Sequence, residues 1–489
     1  MHYAPAVNAP GTTNSHPPDA AGIEDARFVS VRRILRLAGP LILSQMGVML
    51  MQIVDGVFLA HYSEAAIAAV GPAGMSFWLV CGLFMGVAGY SNTFVAQYMG
   101  ARQPHRAGPA VWQALYVAAG AGLLLALGGF GATALFRLVG HAADVQVEQA
   151  AYFRILSWGG ASYLLSAALS GFFAGRHDNR TLMAAHLAGG AANAVLDALL
   201  IFGLLGFPRM GIAGAALATV AGHALQVGIL LALFLSRRHR RAHETWGGRR
   251  FRPALAWRLV RYGLPNGLRF VVEIGAWTVF LVVVGRVDPA GLAASNIVWR
   301  VNGMAFFPVI GLPIAVSMLV GQAQGAKRPD LSRRATHRGL LIGQVWMTSA
   351  AALMLLAPGI LLRLFFSEID APRQAELHAQ SVMLLRYVAV YSLADNVNIM
   401  IMAMLAGAGD TRWMVRTSGV LHAAFLAALL AAARGGARLR GLWLTATVFV
   451  LVSALVWALR FLSRAWESKQ VIEPAPTPDV VNPAFPEPV

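Results

Sequence analysis

The segment VAQYMGARQP, residues 95–104, returns 225 residues later as VGQAQGAKRP, residues 320–329, with Val, Gln, Gly, Ala and Pro in register and Lys327 against Arg102. The same shift lays Pro265 on Pro40. Farther along, AGRHDNR (174–180) matches AGAGDTR (406–412) at an offset of 232, which only requires a slightly longer loop in the second copy. The chain therefore reads as an internal duplication.

What surrounds these segments is apolar. The 489 residues are 57% hydrophobic and only 12% charged, with a mean hydropathy of +0.60. An ordinary soluble globule carries about 25% charged residues and is excluded. Roughly 20 apolar residues cross a bilayer, and the apolar stretch from Ile34 to Leu462 is broken only by short polar turns. The pattern predicts helices near 34–61, 67–98, 108–137, 148–175, 181–203, 210–235, 257–286, 291–322, 335–366, 377–407, 413–434 and 440–463. Helix is forced there, because an open sheet edge in lipid leaves backbone groups unpaired. The run after Arg36 is longer than a signal-peptide core and lacks a small-residue cleavage site before Gln52, so it reads as a retained first helix.

The expected fold is an all-α polytopic membrane protein. Twelve transmembrane helices form two pseudo-symmetric six-helix lobes around a central cavity. Six is even, so both copies enter from the same face, as in a parallel repeat about an axis along the membrane normal. The expected divisions are a disordered N-tail (1–33), a first lobe (34–236), a basic linker (237–256), a second lobe (257–464) and a disordered, proline-rich C-tail (465–489).

The formal charge of +17 does not describe a nucleic-acid-binding domain, because the basic residues sit in turns between apolar runs. Of 39 Lys and Arg, 27 fall on the side that holds both tails, 9 on the other, and Arg269, Arg300 and Arg386 lie within spans. By the positive-inside rule both termini are cytoplasmic in a bacterial inner membrane. The Arg237–Arg252 run reads as a solvated topogenic loop, with attraction to anionic headgroups as its functional alternative. His239 and His243 stand at i, i+4 within it, but the surrounding arginines repel a metal cation. Cys81 lies in an apolar run, has no partner for an intramolecular disulfide and reads as packing.

Acids inside the spans are the chemical signal, since a carboxylate at mid-bilayer costs about 2.5–3.5 kcal/mol. Asp55 follows Gln45 and Gln52 on one stripe of the first helix, and Asp197 follows Asn193 and His186 on one face of the fifth. Neither has an in-span cation on its own helix, and both lie roughly 25–30 Å up from the same side at 1.5 Å per residue. They can share one pocket. The second half carries Glu273, with Arg269 at i−4, and Asp395, with Tyr391 at i−4 and Asn398 at i+3. For Glu273 a local ion pair with Arg269 competes with a cation-binding role.

The segments LAGPLILSQ (37–45), VDGVFLAHYSEAAIAAVG (54–71), ANAVLDALLIFG (192–203), GIAGAALATV (211–220), PNGLRFVVE (265–273), YSLADNVNIM (391–400) and AGAGDTR (406–412) together resemble the MATE (multidrug and toxic compound extrusion) family of the MOP superfamily, in its NorM-type branch. The resemblance covers Leu35 to Leu462. It implies a multidrug efflux antiporter that exports amphipathic organic cations, drugs and cationic dyes, in exchange for H⁺ or Na⁺ by alternating access. It implies no cofactor, no enzyme activity, no nucleic-acid partner and a monomer in the lipid bilayer. The implied cation-coupling group is Asp55, Asn193 and Asp197 in the first lobe, with Glu273 and Asp395 as second-lobe acids. Gln52, Tyr163, His186, Thr219, Tyr391 and Asn398 are candidate neighbours, and the only metal implied is Na⁺ at these acids. The first-half turn departs from the pattern, with His177 where the second copy has Gly409.

Two other functions fit the sequence less well. A lipid-linked saccharide flippase of the same superfamily needs several inward cations for pyrophosphate, and only Arg269, Arg300 and Arg386 are candidates. An intramembrane aspartyl protease would use the GxGD-like GAGD (407–410) with Asp395, but that motif ends a helix near the basic side.

Overall fold

The computed structural model describes residues 26–363, 365–366 and 372–473. Twelve helical rods run through them: α1 Val31–Tyr62, α2 Glu64–Gly100, α3 Pro104–Leu138, α4 (Ala143–Trp158 and Gly160–Gly175), α5 Asn179–Phe202, α6 Ile212–Phe234, α7 Pro253–Val287, α8 Pro289–Gly325, α9 Pro329–Leu356, α10 Pro372–Ala408, α11 Thr411–Arg434 and α12 Leu439–Leu462. By length and composition ten of these can cross a membrane unaided, and α8, bent by 49° between Pro289–Phe306 and Val309–Gly325, makes an eleventh. α4 is interrupted at Gly159.

Local sequence sets the starts of the rods. Ser30, Ser63, Asp178 and Asp288 cap α1, α2, α5 and α8 by accepting from backbone N–H groups three residues on. Pro253, Pro289 and Pro329 sit in the first turn, where no N–H is needed.

The lobes pack as copies of one design. α1 lies on α5, α2 and α3 on α4, and α5 on α6; correspondingly α7 lies on α11, α8 and α9 on α10, and α11 on α12. Between lobes α1 meets α8, α7 meets α2, and α2 crosses α8. At that last crossing a Cβ on Gly100 would collide with the backbone of Gln322, and one on its repeat mate Gly325 with the backbone of Gln97. Absence of side chains lets the two backbones touch. The contact shuts the face bearing the linker, called here the linker face.

Backbone strain repeats as well. Arg102 (φ 59°) and Lys327 (φ 56°) are mates in the left-handed region, and His177 (φ 65°) takes the place of Gly409 (φ 97°). The first-half turn thus keeps its geometry despite losing its glycine.

Two expectations about loose segments are corrected. The expected N-tail, 1–33, gives way to a 3-10 turn, Ala26–Val29, and the start of α1, because Phe28 and Val29 are buried and Arg338 donates to the Val29 carbonyl at 2.8 Å. The expected C-tail, 465–489, is packed as far as Glu473, because Trp466, Val471 and Ile472 bury their side chains on the linker face. Residues 1–25 and 474–489 lie outside the described residues.

The linker is a docked element. Trp112 and Gln113 of α3 bond its backbone at Thr245 (2.6 Å), Arg250 (3.2 Å) and Arg252 (2.9 Å). His239 and His243, on the short helix Arg237–His243, pack edge-on against Phe172. Burial, helped by the Arg176 charge, pushes His243 down to about 4, as suits an aromatic plug.

Candidate functional site

A cavity of about 460 Å³ runs inside the first lobe, walled by α1, α2, α4, α5 and α6 and reaching the second lobe at Ile314. It opens toward the lobe interface through Ile314 of α8. Asp55, Gln45 and Gln52 line it from α1, Tyr163 from α4, His186 from α5 and Thr219 from α6.

Asp55 and Asp197 are buried, 6% and 0% exposed, and their carboxyl groups lie within electrostatic reach of each other. Two ionised carboxylates have only acceptors and repel each other, so a proton or cation beside them would relieve the pair. Asn193 approaches Asp197 and donates to Thr219 at 3.4 Å. Asp55 Oδ1, Asn193 Oδ1 and both Asp197 oxygens have no hydrogen-bond partner. Such groups are rarely left orphaned in a native interior. A cluster of unpaired hard oxygens suits a proton or a hard cation.

His186 is held between two hydroxyls, Ser44 at Nδ1 (2.6 Å) and Ser170 at Nε2 (3.2 Å). Sequence reasoning missed His223, which bonds the Thr219 carbonyl at 2.9 Å and stacks on Tyr163 with centroids 3.8 Å apart. Its place one turn after Thr219 was the available signal. Trp78 and Tyr152, also missed, line the same cavity from α2 and α4. No spacing rule joins them, since they converge from different helices.

The second-lobe residues do not form a matching cluster. Glu273 is paired to Arg269 at 2.5 Å, and the same guanidinium touches Met402 Sδ at 3.4 Å. Asp395 accepts from Asn398 at 3.3 Å and lies within electrostatic reach of Glu273. Tyr391 accepts from Asn302 at 3.2 Å. Asp410 of GAGD binds Arg460 at 2.5 Å at the linker-face start of α11, where it serves the turn.

The MatE family profile matches residues 40–199 and 265–430, one stretch in each lobe and starting 225 residues apart. The chain belongs to the MatE family. A protein of Pseudomonas putida named "Probable multidrug resistance protein NorM" is 30% identical over 79% of this chain and 84% of its own length. "Multidrug resistance protein NorM" of Burkholderia vietnamiensis is 28% identical over 87% and 92%. Among solved structures, a MATE protein in complex with MaL6 superposes with a TM-score of 0.81 at 20% identity, over 89% of this chain and 97% of that one. A MATE family transporter of the MOP superfamily in an outward-facing conformation gives 0.78 at 22%, over 89% and 96%. At these identities the structures establish the fold: two lobes of membrane helices, as in other MatE chains.

Proposed function

We propose that this MatE chain is a multidrug efflux antiporter that exports amphipathic organic cations in exchange for H⁺ or Na⁺, with the linker face cytoplasmic in a bacterial inner membrane. The observation that carries the reading is the cluster of unpaired oxygens at Asp55, Asn193 and Asp197 against a cavity whose lining includes no Lys or Arg among the described residues. A carboxylate wall attracts cations and repels pyrophosphate, which speaks against a saccharide-lipid flippase. Tyr163, His223 and Trp78 add flat aromatic faces that suit organic cations. Coupling follows from competition: a proton or Na⁺ arriving at Asp55 and Asp197 neutralises the charge that held the substrate. The relatives' names, multidrug resistance proteins, agree with drug export. The 27 to 9 distribution of basic residues supports the orientation.

The test is efflux of a cationic dye from proteoliposomes under a pH gradient alone, then a sodium gradient alone. At least one should drive efflux. If neither does, with folded protein confirmed in the membrane, the antiport reading fails.

A further inference from the structure

The segment after α12 crosses the linker face and is bonded to both lobes. Its root belongs to the second lobe. Trp466, fully buried, donates from its indole to the Phe461 carbonyl at 3.0 Å and stacks on the Phe461 ring. Gln324 of α8 donates to the Trp466 carbonyl at 3.3 Å and accepts from Gln470 at 2.7 Å. Glu467 pairs with Arg333 of α9 at 3.3 Å. Farther on, Tyr262 of α7 donates to the Gln470 carbonyl at 3.4 Å, and Glu473 pairs with Arg258 of α7 at 2.8 Å.

The tip reaches the first lobe. The Val471 N–H donates to Gln97 Oε1 of α2 at 2.8 Å, and Arg106 of α3 donates to Glu473 at 3.4 Å. Val471 is 1% exposed.

We propose that residues 464–473 are a latch that stays rooted on the second lobe and holds the linker face shut through its tip. The proposal rests on the family's two-lobed fold and on a cycle in which this face opens. The geometry divides the segment. Separation of the lobes at this face leaves the Phe461, Gln324, Arg333 and Arg258 contacts intact, because all lie on the second lobe. It breaks the bonds from Val471 to Gln97 and from Glu473 to Arg106. A latch with one strong root and a tip held by few polar bonds can release and reseat without unfolding. Both tip contacts are short-range, and Arg106 and Glu473 are partly exposed, 27% and 44%, so the ion pair is a weak, reversible element.

The experiment uses the full chain with Cys81 replaced by Ala. Spin labels at His105→Cys in the first lobe and Arg412→Cys in the second, both exposed on the linker face, report lobe separation by pulsed dipolar spectroscopy. Arg106→Ala weakens the tip without touching its root and should raise the long-distance population about 2- to 5-fold, the range of an exposed ion pair of up to 1 kcal/mol. Arg333→Ala, which weakens only the root, should leave that population nearly unchanged. Equal effects of the two variants, or no effect of Arg106→Ala, would overturn the latch. A second arm joins the tip to the first lobe through Gln97→Cys and Val471→Cys. The oxidised protein should retain dye binding and lose efflux, with efflux restored by reductant; efflux at the reduced rate while cross-linked would also overturn it. A wild-type chain that fails to move dye counts against the antiport reading, while the distances still decide the latch.

Discussion

Gln97 and Gln322, mates in the 225-residue repeat, reach across the lobe interface in opposite directions: Gln97 donates to the Gly407 carbonyl of the second lobe at 3.0 Å, and Gln322 to the Gly175 carbonyl of the first at 3.1 Å. The two acceptors are themselves mates at the 232-residue offset. A pair of buried amides related by the pseudo-two-fold axis thus ties the lobes together beside the Gly100 and Gly325 crossing.

That arrangement predicts a shift in conformation. Each amide-to-carbonyl bond is worth about 1 kcal/mol net, and a Cβ at the crossing adds overpacking of about 1–3 kcal/mol. Gln322→Ala should open the linker face several-fold, and Gly100→Ala should also lower the midpoint of thermal unfolding. Unchanged melting of Gly100→Ala would mean that the backbones can separate without loss.

For the first-lobe cluster, Asp55→Asn and Asp197→Asn should each abolish gradient-driven dye efflux while the protein stays folded in the membrane. The amide keeps the size of the acid and its hydrogen-bonding capacity but cannot exchange a proton. Transport by either variant at the wild-type rate would assign that acid a purely structural part.

Glu273 poses a different question, because its cation is Arg269. Removing one member of an ion pair in a low-dielectric span strands the other, at about 3–5 kcal/mol for a fully buried pair and less here, where the Glu273 side chain is 36% exposed. Glu273→Gln should lower stability, and adding Arg269→Gln should recover it. Efflux per folded transporter is expected to remain lost in the double variant, since Asp395 nearby needs Glu273 to hold a cation with it. Recovered efflux would restrict the transport chemistry to the first lobe.

His177 gives a pH prediction. Burial, with Arg33 nearby, pushes its imidazole down to about 3, and its Nε2 has no hydrogen-bond partner. The unfolded chain, with an ordinary value near 6.5, therefore binds more protons below that pH. The stabilising effect is complete above about pH 6.5 and is lost as pH falls toward the folded value. His177→Gly removes both the titration and the left-handed strain, so its melting temperature should fall less between pH 7 and pH 4 than that of the parent. Parallel curves would show that His177 does not titrate in this range.

The sequence by itself determined the twelve rods, their parallel duplication and the acids worth testing, because bilayer length, turn chemistry and the scarcity of buried charge are local constraints. It also placed Asp55 and Asp197 at one depth, since rise per residue is fixed in a helix. The turn at His177 was harder to read: side-chain identity signals a glycine-requiring turn only when glycine is present, and here the backbone adopts the left-handed conformation regardless. Only the tertiary structure decided that Asp55, Tyr163, His186 and Thr219 line one cavity, that His223 stacks on Tyr163, and that residues 464–473 fold back over both lobes. Each of these depends on which faces of separate helices meet, a matter of rotation and long-range packing that periodicity along one chain segment does not encode. Glu273 marks the border between the two: its pairing with Arg269 follows from helical spacing, but the electrostatic reach to Asp395 comes from bringing α7 and α10 together.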